Sequence, residues 1–414
     1  MVASNPDLDP SPSHMTPNSS PQVVVTHALR TPIGKYLGSF SQMTGVELAT
    51  SLVKDLISRE GVDPNLIDEV FLGNGRQAGA GPNPARQVAI RAGLPESVYA
   101  TTVNMACGSG LKSMQMGQDS IRLGRSRMVL AGGFESMSGL PFFLPKMRTG
   151  YRLGHDRVVD AMYKDGFDCP LAEMLMGATA EVLAKEIGLT REAQDRFAME
   201  SQQKAGAAQS AGRFKDEISP VEVTERRKTR IVSEDEHLRP SASMEGLGKL
   251  PTVFDRENGT VTAGNASGIT DGAAAVILMD AELAKELGIT PLAILGETCA
   301  AGVDPKRMGI GPVPAIRALE KLNGLGVSDY DLIELNEAFA AQVLACDHEL
   351  KMPMERVNVN GGSIALGHPI GATGARIVVT LLHEMARRGS TNGLASLCIS
   401  GGMGLATAFH RPSN

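Results

Sequence analysis

The sequence predicts an α/β fold of two similar halves with a loop domain inserted into the first, and three observations carry that expectation. From Val23 onward, short β-rich runs alternate with segments of helical period. The 46 glycines gather where a strand meets a helix, as at Gly108 and Gly110, Gly361 and Gly362, and Gly401, Gly402 and Gly404. Val103-Asn104 ahead of Cys107-Gly108-Ser109 is matched by Val359-Asn360 ahead of Gly361-Gly362-Ser363, and each pair leaves a strand for a glycine-containing turn and a helix.

Taken in order, residues 1–21 are rich in Ser and Pro, hold no Lys or Arg, and read as a disordered extension. The first half, 22–139 plus 269–291, opens with a strand at Val23–His27, a helix over Val46–Glu60 and a strand at Glu69–Leu72. The helix after Cys107 places Leu111, Met114 and Ile121 on one face. Within 140–268 the texture changes to helical segments (Ala172–Ile187, Arg191–Gly212) and a charged stretch, Glu222–Arg239. This is the inserted loop domain and a candidate lid or ligand-binding module, since binding elements ride on connections above a rigid sheet. The second half, 292–414, has a strand at Leu332–Leu335. It also has a helix from about Gly371 to Arg388, with Ala375, Val378, Val379, Leu382 and Ala386 on one face and a cationic last turn ahead of a Gly389 cap.

Composition narrows the function. At 414 residues and 42% hydrophobic the chain exceeds what one core serves. Its 40 Lys+Arg against 46 Asp+Glu give a net charge of -6, which offers no basic field to capture nucleic acid. Runs such as Ala273–Met279 and Ile377–Leu382 fall far short of the roughly 20 residues of a membrane helix. Five cysteines, an odd number with no CxxC pair and no metal-ligand spacing with the eight histidines, fit free thiols in a reducing compartment. Neither a secretory signal, a basic transit peptide nor a peroxisomal tripeptide is expected, which points to the cytoplasm.

Four constellations carry chemistry. In Val103-Asn104-Met105-Ala106-Cys107-Gly108-Ser109-Gly110 a strand ends in Cys where a helix begins, so the helix dipole and free N–H groups favour thiolate. A cysteine is also a small buried hydrophobe in many cores. His368, in Gly361-Gly362-Ser363-Ile364-Ala365-Leu366-Gly367-His368-Pro369, sits on a rigid glycine-rich loop that suits a general base for a thiol, or a histidine that only braces the loop. Cys398, in Cys398-Ile399-Ser400-Gly401-Gly402, leaves a strand into a tight turn. Asn336, in Leu335-Asn336-Glu337-Ala338-Phe339, can orient a water or simply cap a turn.

Together, in the order Cys, Asn, His, Cys, these strings resemble the thiolase family over about Val23 to His410. Arg30-Thr31-Pro32, Gly38-Ser39-Phe40, Gly132-Gly133-Phe134-Glu135-Ser136-Met137-Ser138, Gly259-Thr260-Val261-Thr262-Ala263-Gly264-Asn265-Ala266-Ser267 and Asp271-Gly272-Ala273-Ala274-Ala275 extend the resemblance. It implies a five-layered αβαβα fold whose inserted domain binds CoA. It implies Cys107 as the nucleophile that carries an acyl thioester, His368 as the group that activates it, and Cys398 as general acid and base. One oxyanion hole would be formed by His368 with a water held by Asn336, the other by the backbone amides of Cys107 and Ser400. Ser400 stands where the family has Gly. Arg239, Ser267, Met176 and Phe339 are the implied CoA contacts, while Cys169, Cys299 and Cys346 remain structural. No cofactor or metal is implied, coenzyme A being substrate and product.

The resemblance leans toward enzymes joining two acetyl-CoA molecules. Leu175, where those enzymes carry His, and Gly139-Leu140-Pro141-Phe142-Phe143 after Ser138 keep open a broad-chain 3-ketoacyl-CoA thiolase of fatty-acid degradation. A ketoacyl-carrier-protein synthase shares the fold but has histidines where Cys398 stands. A non-catalytic acyl-CoA or lipid binder is the remaining alternative. Partners are expected to be acyl-CoA and further copies of the chain, as a homodimer or homotetramer, without nucleic acid or membrane.

Overall fold

The computed structural model describes residues 20–225 and 228–412. The expected disordered extension therefore lies outside the described residues except for its last two positions. The first half runs β1 (Val23–Arg30), α1 (Gly45–Glu60), β2 (Glu69–Gly73), α2 (Pro84–Ala92), β3 (Tyr99–Val103), α3 (Ser109–Arg122) and β4 (Met128–Ser136). The inserted segment contributes α4 (Met176–Glu186), α5 (Arg191–Ser210) and the hairpin β5 (Val221–Glu225) and β6 (Lys228–Val232), before β7 (Thr270–Asp280) returns to the first half. Next come β8 (Ala293–Gly302), α6 (Pro312–Asn323), β9 (Leu332–Leu335), α7 (Ala340–Leu350), α8 (Ile370–Arg388), β10 (Asn392–Ile399) and β11 (Met403–His410).

Local chemistry explains the helix ends. Thr44 accepts from the Glu47 amide while Glu47 accepts from the Thr44 amide, a capping box that starts α1, and Gly61 in the left-handed region ends it. Gly389 closes α8 in the same way.

The halves repeat one topology. In the first, the order is β1-β7-β4-β2-β3, with β7 antiparallel to both neighbours and β2 parallel to both of its own. In the second, the order β8-β11-β10-β9 has the same directions, and the counterpart of β3 shrinks to one parallel bridge between Ile333 and Val357. The two sheets meet at a seam of two residue pairs between β1 and β8.

Strand alternation divides the apolar residues into three cores. Ala273, Ala275, Ile277 and Met279 of β7 face α1 and α2, while Ala274, Val276 and Leu278 face the middle of the molecule. There they meet Leu111 and Met114 of α3, Ile377 and Val378 of α8, and Leu397 and Phe409 of the second sheet. The far face of that sheet, with Leu394, Ala406 and Ala408, packs on Ile316 of α6 and Val343 of α7. The layers are thus helix, sheet, helix, sheet, helix, with α3 and α8 as the central layer. Their crossing is close because it occurs at glycines: a Cβ on Gly110 would lie 2.7 Å from the Ala375 amide nitrogen, and one on Gly374 would strike that of Leu111.

The inserted segment departs from the sequence expectation in two places. The helix expected over Ala172–Ile187 begins only at Met176, because Glu173 turns the chain in the left-handed region (φ 56°) and Asp168–Cys169 pairs with Met174–Leu175 as a small ladder. The charged stretch Glu222–Arg239 includes most of a hairpin whose alternate residues Val221, Val223 and Val232 join the outer core of the first half. Buried Arg30 holds this region, donating to Glu217 at 2.6 Å and to both oxygens of Asp235 at 2.7 and 2.9 Å.

Candidate active site

Cys107 sits in the turn between β3 and α3, where a tight web of hydrogen bonds fixes the chain. The Ala106 amide donates to Asn104 Oδ1, the Met105 amide donates to Ser109 Oγ, and Ser109 Oγ donates to the Ala106 carbonyl. Ala106 is held at φ 46°, a conformation uncommon for a residue with Cβ. This turn presents the sulfur of half-buried Cys107 to a cavity of about 410 Å³ that is also lined by His368, Cys398 and Ser400.

His368 precedes α8, and its Nε2 lies 3.3 Å from Cys107 Sγ. Its Nδ1 is 2.6 Å from Thr373 Oγ1, and the Thr373 hydroxyl donates to the Pro369 carbonyl at 3.0 Å. Because that hydroxyl proton is already engaged, Nδ1 is the ring donor, which leaves the Nε2 lone pair facing the thiol. Burial, with the charges of Arg376 and Arg76, pushes His368 down to about 3, so the imidazole is neutral. Burial pushes the Cys107 thiol up, against the pull of Arg76 and of the Ser400 and Cys107 amides. The net direction opposes the thiolate expected from the helix start, because desolvation outweighs the dipole.

Cys398 is buried at the end of β10, packed with Met308 and Ala338. Burial and the neighbouring Cys107 and Cys346 raise its thiol well above the usual range. After it the positive φ angles fall on Gly401 (88°) and Gly402 (86°), and Ser400 keeps a negative φ. A residue with Cβ therefore fits where the family has Gly, and its amide still reaches the Cys107 sulfur.

Among the other expected residues, Ser267, Met176 and Phe339 line the cavity with Leu175. Ser267 is held by its backbone amide, which donates a hydrogen bond to the Ala338 carbonyl, and the loop before it is pinned to α4 by Glu181, which accepts from the Thr260 and Val261 amides. Phe339 meets Phe254 edge to face at 6.4 Å. Asn336 and Arg239 stand apart from the wall. Asn336 is buried behind it, accepting from Ser363 Oγ, and among the described residues its Nδ2 has no partner, which leaves a donor for a water. Arg239 is exposed, and its charge acts on His237, which packs against Gly268 of the wall.

Three residues escaped the sequence reading. Thr373 orients His368, and its only sequence signal is a hydroxyl one helical turn past Pro369. Glu135, inside a quoted motif, accepts from the Gly75, Arg76 and Gly371 amides and ties both halves to the site. Burial pushes it up to about 7 despite the nearby Arg76. Arg76 itself lies in the cavity wall. Among the described residues, no three His, Cys, Asp or Glu side chains are grouped to hold a metal ion, and no helix is long and apolar enough to cross a membrane.

Residues 23–282 match the family description "Thiolase, N-terminal domain", and residues 289–411 match "Thiolase, C-terminal domain". An acetyl-CoA acetyltransferase of Cupriavidus necator is 51% identical over 391 residues, covering 94% of this chain and 99% of its own. The crystal structure of the Bacillus anthracis acetyl-CoA acetyltransferase superposes with a TM-score of 0.93 at 45% identity, covering 95% of this chain and all of its own. The human mitochondrial 3-ketoacyl-CoA thiolase in complex with CoA superposes with a TM-score of 0.90 at 41% identity, covering 95% of this chain and 98% of its own.

Proposed function

The chain belongs to the thiolase family, and from that premise we propose that it joins two acetyl-CoA molecules into acetoacetyl-CoA and free CoA, reversibly, through an acyl group on Cys107. The observation that carries the reading is the 3.3 Å approach of a neutral imidazole to the Cys107 thiol, in a cavity that also holds Cys398.

Cys107 Sγ attacks the thioester carbonyl as its proton passes to His368 Nε2. The carbon–sulfur bond to CoA breaks, and the departing sulfur takes that proton. Charge on the carbonyl oxygen is met by the amides of Cys107 and Ser400, and in the second half-reaction by His368 and a water on Asn336. Cys398 then removes a proton from the methyl carbon of a second acetyl-CoA. That carbon bonds to the acyl carbon as the Cys107–acyl bond breaks, and the proton moves through Cys398 to Cys107. Ser267, Met176 and Phe339 guide the pantetheine arm, and Arg239 at the rim meets the phosphates.

We further place the first core at 22–139 plus 269–291, the CoA-binding loop domain at 140–268 and the second core at 292–414. The protein works in lipid metabolism in the cytoplasm as a homodimer or homotetramer. Apolar lining, with Leu175 in the wall, keeps longer acyl chains as the second reading. Intact-mass measurement with acetyl-CoA tests the mechanism. Wild type and Cys398→Ala should both gain an acetyl group, only wild type should condense it, and Cys107→Ala should do neither. Condensation by Cys398→Ala at the wild-type rate would overturn the assignment of the base.

A further inference from the structure

Resting on the thiolase reading, we propose that Arg76 makes this site selective for 3-ketoacyl-CoA substrates whose acyl chain ends in a carboxylate. The observation is a buried cation that no carboxylate touches among the described residues. Arg76 is 6% exposed and lines the same cavity as Cys107 and His368. Among the described residues its side chain makes no ion pair or hydrogen bond, and Nε is fully buried without a partner.

The surroundings hold the guanidinium there. Its backbone is fixed by Glu135, whose Oε1 accepts from the Arg76 amide at 3.1 Å and from Asn74 Nδ2 at 2.6 Å. The other oxygen accepts from the Gly75 and Gly371 amides at 3.0 and 2.9 Å. Both oxygens of the nearby carboxyl are therefore occupied by the backbone and Asn74, and Glu135 does not neutralise Arg76 by direct contact. On the opposite side Arg76 lies against the backbone of Gly166, where a Cβ would run into the guanidinium. Tyr163 and Phe167 flank that glycine and line the cavity too.

A guanidinium stays charged at every working pH, and removing it from water costs several kcal/mol unless an anion answers it. An acetyl group has nothing to offer. The CoA phosphates lie a full pantetheine arm from the reacting thioester, whereas the Arg76 charge is felt at the Cys107 sulfur. An acyl chain on Cys107 with a terminal carboxylate supplies the missing partner in a geometry that the planar fork accepts through two parallel bonds.

With 3-oxoadipyl-CoA the Cys107 sulfur adds to the C3 ketone and the C2–C3 bond breaks with its electron pair on C2. The proton lost by the Cys107 thiol reaches C2 by way of Cys398, and acetyl-CoA departs. The succinyl group left on Cys107 passes to the sulfur of free CoA, whose thiol proton returns to Cys107. Acetyl-CoA remains a product, so the acetyl reading and the anionic preference are compatible.

The test is the ratio of kcat/KM for thiolysis of 3-oxoadipyl-CoA to that of 3-oxohexanoyl-CoA, a six-carbon analogue ending in methyl. Any general loss at Cys107 divides out. Wild type should favour the carboxylate by about tenfold or more, the scale of a charge-assisted pair. Arg76→Leu should bring the ratio to unity or below, and Arg76→Lys should keep a reduced preference. A wild-type ratio near unity, or one unchanged in Arg76→Leu, overturns the proposal, and the wild-type ratio decides even if a variant fails to fold. Wild-type cleavage of acetoacetyl-CoA in the same assay reads the thiolase assignment separately.

Discussion

Two influences oppose each other at the Cys107 sulfur. Burial favours the neutral thiol, and Arg76 with two backbone amides favours the anion. Since burial also holds His368 at about 3, the resting pair is thiol and neutral imidazole, and the proton moves only as the sulfur attacks. The His368 ring should therefore show no NMR titration between pH 5 and 8, and a midpoint near 6.5 would contradict this. The sign for stability follows. The unfolded histidine takes a proton below about 6.5 and the folded one does not until about 3, so His368's contribution is intact above 6.5 and is lost as the pH falls toward 3. Thr373→Val removes the Nδ1 partner and leaves a buried donor unmet, a cost of about 1–3 kcal/mol. We expect kcat to fall about tenfold or more, with KM nearly unchanged and Thr373→Ser recovering most of the rate. Equal loss in the Ser variant would point to packing instead of the hydrogen bond.

At the scale of elements, the site depends on how α3 and α8 cross, since Cys107 precedes one and His368 the other. Gly374→Leu places a side chain against the backbone of α3 at Leu111, and overpacking of this kind costs about 1–3 kcal/mol. Urea unfolding should show that loss together with a reduced kcat, because any shift of α8 carries Thr373 with it. An unchanged midpoint would mean that the crossing is slack. These two helices were legible in the sequence because their apolar faces recur at helical period and glycines mark their starts. The hairpin β5–β6 was not, since Lys228, Thr229, Arg230 and Ile231 are exposed and its burial depends on three valines meeting a distant core. Arg76 and Thr373 were hidden for a related reason. Their roles come from what faces them across the fold, and no local spacing announces an unpaired guanidinium or the orienter of a ring.

At the scale of the whole molecule, the repeated topology was visible only as two short matching strings, because β3 has no full counterpart in the second half beyond the Val357 bridge. Three cores absorb most of the apolar side chains, yet the inserted segment leaves several in water. Phe142, Met147, Leu153, Val158 and Leu171 are more than half exposed, and Leu153 reaches 99%. All lie within a single thirty-residue stretch that carries the small ladder of Phe142–Phe143 with Val159–Asp160. Single exposed apolar residues are ordinary, but a run of them on one arm marks a contact surface. Burying such side chains between copies returns about 25 cal/mol per Å² of apolar area, so a few large residues suffice to hold an arm against its counterpart. If this arm joins copies of the chain, Phe142→Asp with Leu153→Asp should lower the mass measured by light scattering after size exclusion, and the far-ultraviolet spectrum should be unchanged because neither side chain supports a core. A wild-type protein with the mass of a single chain would remove the oligomer, while an unchanged assembly in the double variant would move the interface elsewhere on the surface.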